Sequence, residues 1–111
     1  MTKRHIHDIN VLFDSVYNWA DSRNLIEDGD PNRQMLKVIE EIGELAGAMA
    51  KKKDYAIIDS IGDSFVTLII LSHQLGFDPD RCLNQALAEI SGRTGKVVDG
   101  VFIKSEDESN S

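Results

Sequence analysis

The chain has 111 residues, 41% of them hydrophobic and 28% charged, a length and composition that suit one globular domain and exclude a disordered chain. Nineteen acids against twelve bases leave a net charge of −7, which argues against a basic face for nucleic acid or anionic lipid. A small anionic substrate would be repelled as well, unless a metal ion or a local basic cluster offsets the field.

The N-terminal MTKRHIHDIN has no apolar run behind its charges, so a secretory signal is not expected. The first predicted helix covers about His5–Ser22, with Ile9, Leu12, Phe13, Val16, Trp19 and Ala20 at helical spacing. His5 and His7 read as surface residues, and Arg23–Asp30 as a polar connection. Asp30-Pro31 and Asp78-Pro79 each carry the pattern of an N-cap followed by proline at the first helical position. The second helix is therefore placed at Pro31–Lys53, with Met35, Val38, Ile39, Ile42, Leu45, Ala46 and Met49 as one apolar face. Asp54 is the expected cap of a third helix, Tyr55–Leu75, which Gly76 ends. Its most apolar part, Ala56–Leu71, is interrupted by Asp59 and Asp63 and reads as too short to span a bilayer. A fourth helix is expected at Pro79–Arg93, with Cys82, Leu83, Ala86, Leu87 and Ile90 facing inward. After Gly95 the period changes, and β-branched residues on both sides of Asp99-Gly100 predict a hairpin.

The expected fold is all-α: four helices over residues 1–104 with a short C-terminal β-hairpin, completed by oligomerisation because the third helix is apolar nearly all round. The acidic tail, residues 105–111, reads as solvated. Cys82 cannot form an internal disulfide and reads as core; the lone cysteine suits a cytoplasmic protein.

The chemistry concentrates in Glu40-Glu41-Ile42-Gly43-Glu44 and Asp59-Ser60-Ile61-Gly62-Asp63. At about 100° per residue Glu41 and Glu44 share a side at the margin of the apolar face, with Lys37 one turn earlier, and Asp59 and Asp63 share another. Asp63 lies amid Ile61, Phe65 and Val66 with no Lys or Arg nearby on its helix. Burying an ionised carboxylate costs several kcal/mol unless it is paired or metal-bound, so converging unpaired acids point to a hard divalent ion such as Mg2+. The competing reading is a solvated glutamate stripe paired with Lys37 and Arg33. Gly43 and Gly62 suggest either close helix approach or room for a ligand.

Lys37-x-x-Glu40-Glu41-x-x-Glu44-Leu45, followed by Gly62-Asp63 in an apolar helix, resembles the MazG-like all-α nucleoside triphosphate pyrophosphohydrolase superfamily, whose relatives include dimeric dUTPases, dCTP pyrophosphatases and phosphoribosyl-ATP pyrophosphatases. The resemblance spans about residues 9–96. It departs at Ser60, where the family pattern has Glu, with Asp59 one residue earlier. The resemblance implies hydrolysis of a (deoxy)nucleoside triphosphate to monophosphate and pyrophosphate by a homodimer or homotetramer. Glu41, Glu44, Asp59 and Asp63 would hold Mg2+, with Mn2+ as a substitute. Glu40 would orient the attacking water or a second ion, and Lys37, Arg93, Lys96 and Trp19 would bind substrate. Arg93 and Lys96 otherwise read as complements of a helix C-terminus, Trp19 as core and His73 as a dipole partner.

Two other functions compete with this one. A carboxylate-bridged di-iron bundle needs Glu-x-x-His, and no Glu here has a His three residues later. A non-catalytic homo-oligomeric interaction module explains the amphipathic helices but not Asp63. No P-loop or GxGxxG is present.

Overall fold

The computed structural model describes residues 7–105. It contains α1 (Ile9–Asp21), α2 (Leu25–Asp28), α3 (Pro31–Lys51), α4 (Asp54–Gln74), α5 (Pro79–Ser91), β1 (Gly95–Val98) and β2 (Val101–Lys104). The protein is thus mostly helical with a C-terminal hairpin, as the sequence predicts. The chain divides into two compact units between Asp80 and Arg81. Residues 1–6, including His5, and the acidic stretch 106–111 lie outside the described residues.

The helix ends follow from their capping chemistry. The Asp8 carboxylate accepts from Asn10 N at 2.9 Å, and that of Asp30 accepts from Asn32 N at 2.9 Å, with Pro31 at the first helical position of α3. Asp54 is not a cap: Lys53 is, without a side-chain bond, and Asp54 complements the dipole from inside the first turn. At the other end of α4, Gly76 N donates to His73 O and Phe77 N to Ser72 O, with Gly76 at φ +87°. That is a Schellman stop, which needs a residue tolerant of positive φ after Leu75. The connection after α1 reads from the sequence as a polar link. It folds Leu25–Asp28 into one helical turn, started by Asn24 in the left-handed region.

In the first unit α4 is the central element, packing on α3, α1 and α2. The buried side chains are few: Ala20, Gln34, Val38, Ala48, Ser60, Ile69, Ile70 and Leu71. At 21 residues α4 is long and apolar enough to cross a bilayer by length and composition alone, a test that the core helix of a soluble protein also passes. Three helices pack against it, and Asp59 and Asp63 lie within it.

Helices α3 and α4 run antiparallel. Gln34 Nε2 donates to the Thr67 carbonyl at 3.1 Å near the start of α3, and Lys53 N donates to Ala48 O at 3.4 Å near its end. The side of α3 against α4 is Gln34, Val38, Glu41, Leu45 and Ala48, all buried or half-buried. The single apolar face predicted for this helix is therefore split. Val38 and Leu45 pack inward, while Met35, Ile39, Ile42 and Met49 are exposed, Ile39 and Met49 at 56% and 60%. Gln34 serves the core because its amide satisfies a backbone carbonyl on the neighbouring helix, which offsets the expense of burying it.

In the second unit β1 and β2 pair antiparallel, Val97 opposite Phe102 and Val98 opposite Val101. Asp99 and Gly100 both have positive φ (52° and 81°), the type I′ turn that the Asp-Gly pair predicts. A Cβ on Gly95 would meet the Ile103 carbonyl and the Phe102 ring, so this strand must start with glycine. The inward set expected on α5 is corrected, because Cys82, Leu83, Ala86, Leu87 and Ile90 are all exposed. Amphipathic spacing marks the face that seeks cover, and this chain alone does not cover it.

Gly29 links α2 to α3 under Gln74, whose Nε2 donates to Leu25 O at 3.0 Å. A Cβ on Gly29 would clash with the Leu25 carbonyl and the Gln74 amide. Gly29→Ala should therefore destabilise the fold by about 1–3 kcal/mol, the usual expense of overpacking. Thermal denaturation followed by circular dichroism should show a Tm several degrees lower; an unchanged Tm would contradict this packing.

Candidate active site

The carboxylates of Glu40, Glu41 and Glu44 converge: one oxygen from each lies within 4.8 Å of the others. All three stand on α3, where Glu44 lies three residues from Glu41 and four from Glu40 and so falls between them on an arc of about 100°. Glu40 and Glu44 are exposed, and Glu41 is half-buried against α4. Glu41 lies midway between Gln34 and Ala48, and Ser60 midway between Thr67 and Lys53, so the antiparallel register sets Ser60 at the level of Glu41. Ser60 is buried, Asp63 one turn on is half-buried, and Asp59 is exposed. Neither Asp59 nor Asp63 belongs to the tight group of three.

The Glu41 Oε2 atom is buried and has no hydrogen-bond partner. Burial pushes the Glu41 carboxyl above its ordinary range. A hydrogen bond and the charge of Glu44 raise it further, followed by the charges of Asp63 and Glu40. Asp63 thus acts on Glu41 from the neighbouring helix although it stands outside the tightest group. An ionised carboxylate with an orphaned buried oxygen and acidic neighbours is a poor arrangement for a solvated stripe. It suits a hard divalent cation, for which oxygen ligands without a competing cation are the normal donor set.

The cations around the group are few. Lys37 Nζ lies 3.8 Å from Glu40, and Arg33 pairs with Asp30, also at 3.8 Å, rather than with the glutamates. Both pairs are exposed and contribute little. Trp19 is not core: it is 49% exposed, and the Arg23 guanidinium stacks over its ring at 4.3 Å while donating to the Trp19 carbonyl. Sequence reasoning passed over Arg23, although Trp19 and Arg23 are four residues apart, the distance at which a guanidinium can cover a ring on the same side of a helix. Arg93 and Lys96 are exposed in the second unit. His73 meets Tyr17 edge-on, with ring centroids 4.6 Å apart. A Cβ on Gly43 or on Gly62 would touch nothing within 4 Å, so close helix approach inside this chain is not their role.

The MazG nucleotide pyrophosphohydrolase domain family matches residues 30–98, which takes in the glutamate group, α4 with Asp59 and Asp63, and α5. The chain belongs to this family. A similar protein is the "Uncharacterized 18.2 kDa protein in rep-hol intergenic region" of Haemophilus phage HP1 (strain HP1c1), 45% identical over 71 residues. The shared segment is 64% of this chain and 44% of that protein, so the chain spans less than half of that relative's length. No solved structure matches this chain.

The raised pKa of Glu41 has a stability consequence. The folded protein holds the Glu41 proton more tightly than the unfolded chain, whose value is the ordinary 4.5. The metal-free fold therefore loses stability as pH rises above that value through the raised one. Glu41→Gln, which keeps the shape and removes the charge, should melt at a higher temperature than the metal-free parent at neutral pH. The gap should close below the ordinary carboxylate value, where both side chains are neutral. Paired melts across pH check this, and a variant less stable than the parent at pH 7 would contradict it.

Proposed function

We propose that this protein is a Mg2+-dependent pyrophosphohydrolase that cleaves a (deoxy)nucleoside triphosphate to the monophosphate and pyrophosphate. The observation that carries the reading is the Glu40–Glu41–Glu44 group, with an unpartnered buried oxygen on Glu41, in a chain of the MazG family. In this reading Glu41, Glu44 and Asp63 hold the ion, with Asp59 of α4 joining them. A divalent ion there would neutralise phosphate oxygens and make a bound water more acidic, which is how an acidic protein can turn over a polyanion. The remaining roles fall to side chains of this chain. Glu40 orients the water that cleaves the anhydride between the α- and β-phosphates. Lys37, one turn before Glu41, pairs with phosphate in place of Glu40. Trp19 under Arg23 offers an aromatic face and a cation to the nucleoside. Arg93 and Lys96 are further phosphate partners. A triphosphate substrate also favours the cytoplasm, where such nucleotides are held.

The pure protein incubated with a panel of ribo- and deoxynucleoside triphosphates and Mg2+ should yield monophosphate and pyrophosphate together, and EDTA should abolish both. Diphosphate plus orthophosphate would overturn the assignment. Glu41→Gln should lose turnover, by a factor of about 100 or more for a residue that organises the reacting centre, while remaining folded. Turnover equal to the parent would remove Glu41 from the site. No turnover of any nucleotide by a protein that Mg2+ still stabilises would favour the alternative, a non-catalytic homo-oligomeric module.

We also propose a homo-oligomer, dimer or tetramer, built on the outer faces of α3 and α4. Met35, Ile39, Ile42 and Met49 on α3 and Ile58, Ile61, Phe65 and Leu68 on α4 are exposed at spacings of three, four and seven residues. These are seams of the kind that pair helices into bundles. Leu68→Lys should shift the protein to a monomer in size-exclusion chromatography with light scattering. An unchanged mass would place the interface elsewhere.

A further inference from the structure

A concavity in the first unit is remote from the glutamates. It is a cleft of about 610 Å3 between α1 and the end of α4, within the range of small-molecule sites. His73, on its wall, is ten residues beyond Asp63, about 15 Å along the helix axis. The exposed seams of α3 and α4 contribute no residue to it. Three aromatic side chains line the cleft: Phe13 and Tyr17 from α1, and Phe77 after the Schellman stop. Tyr17 is fixed edge-on to His73, whereas Phe77 is 56% exposed, an apolar ring held open to the cavity.

The charges on the same walls have one sign. Asp14, Asp78 and Asp80 line the cleft, and among the described residues that line it His73 is the only basic one. Among the described residues no Lys or Arg pairs with any of the three acids. The cleft sits at the C-terminal, negative end of α4 and at the N-terminal, positive end of α5, whose Pro79 and Asp80 line it, so the two dipoles offset each other and the side-chain charges decide the sign. Asp80 is accounted for by the first turn of α5, where an acid complements the dipole. Asp14 is in the second turn of α1 and has no such explanation. Aromatic faces supply negative quadrupole and apolar contact, and carboxylates at the rim supply charge; together they complement a cation on an apolar body and repel phosphate.

We propose that this cleft binds a small organic cation, an ammonium or guanidinium group carried on an apolar frame, at a site separate from the carboxylate group of α3. The probes are benzylammonium and N-acetyl-arginine amide, each monovalent, with benzyl alcohol as the uncharged comparison. Titration of the isotope-labelled full chain by NMR should shift the amide signals of Tyr17, His73 and Phe77 with both cations and not with the alcohol. Asp14→Asn combined with Asp78→Asn should weaken benzylammonium binding at least about tenfold, the scale of losing a partly desolvated cation contact. Phe77→Ala, which leaves the charges in place, should weaken it as well. Both variants are to be shown folded by their melts, and both should keep the parent's Mg2+-induced rise in Tm. The proposal is overturned by the absence of shifts at millimolar probe, by equal binding of benzyl alcohol, or by unchanged affinity in the folded variants. It is also overturned if the shifts fall on Glu40–Glu44, which would mean attraction to a negatively charged protein in general. None of these readouts depends on nucleotide hydrolysis.

Discussion

The register of α3 on α4 is the constraint from which the rest follows. It is pinned near one end by a buried glutamine amide on the Thr67 carbonyl and near the other by the tight turn that brings Lys53 N to Ala48 O. Between these points the packed face must accept whatever lies halfway along each helix, and that is Glu41 opposite Ser60. A slip of one residue would rotate α3 by about 100°, turn Glu41 toward solvent and disperse the carboxylate group. Holding an acid inside a helix seam is thus a property of the whole hairpin rather than of local spacing.

The arrangement sets fold against site. The carboxylates would be more comfortable apart, and the orphaned oxygen of Glu41 shows that the surroundings do not relieve it. The remainder of the first unit compensates through Ile69, Ile70 and Leu71 on α4, Ala20 on α1 and Val38 on α3, a modest core for a domain. Much apolar surface stays outside it, on the outer seams of α3 and α4, on α5 and on the hairpin.

Much of this was legible in the sequence, and what was not has identifiable causes. Helix starts at Pro31 and Pro79, the stop at Gly76 and the hairpin turn at Asp99-Gly100 were readable because each depends on a residue with restricted or unusual backbone freedom. The single turn of α2 was missed because its four residues carry no period. The facing of α3 was misjudged because its apolar residues cover a wide arc, and periodicity alone does not say which edge of that arc meets the neighbour. Gln34, polar by composition, sits on the packed edge; Ile39, apolar, does not. For the same reason Glu41 read as marginal when it is part of the seam. Its convergence with Glu40 and Glu44 was visible from helical geometry, since all three are on one element. How α4 addresses them was not, because that depends on a register fixed by a side-chain to backbone bond. Arg23 over Trp19 was within reach of the i, i+4 rule and was overlooked because Trp19 read as core and Arg23 as the start of a polar connection.

The unrelieved oxygen of Glu41 has an evolutionary corollary. Natural proteins sit only slightly above the stability they need, and many stabilising substitutions remain open to them. A laboratory selection of this chain for heat tolerance, run without a ligand, would be drawn to position 41, because discharging that side chain relieves several repulsions at once. The variants it enriched would be sturdier and emptied of their chemistry. Persistence of an acid at that position in a population under thermal selection would mean that something other than folding was being retained.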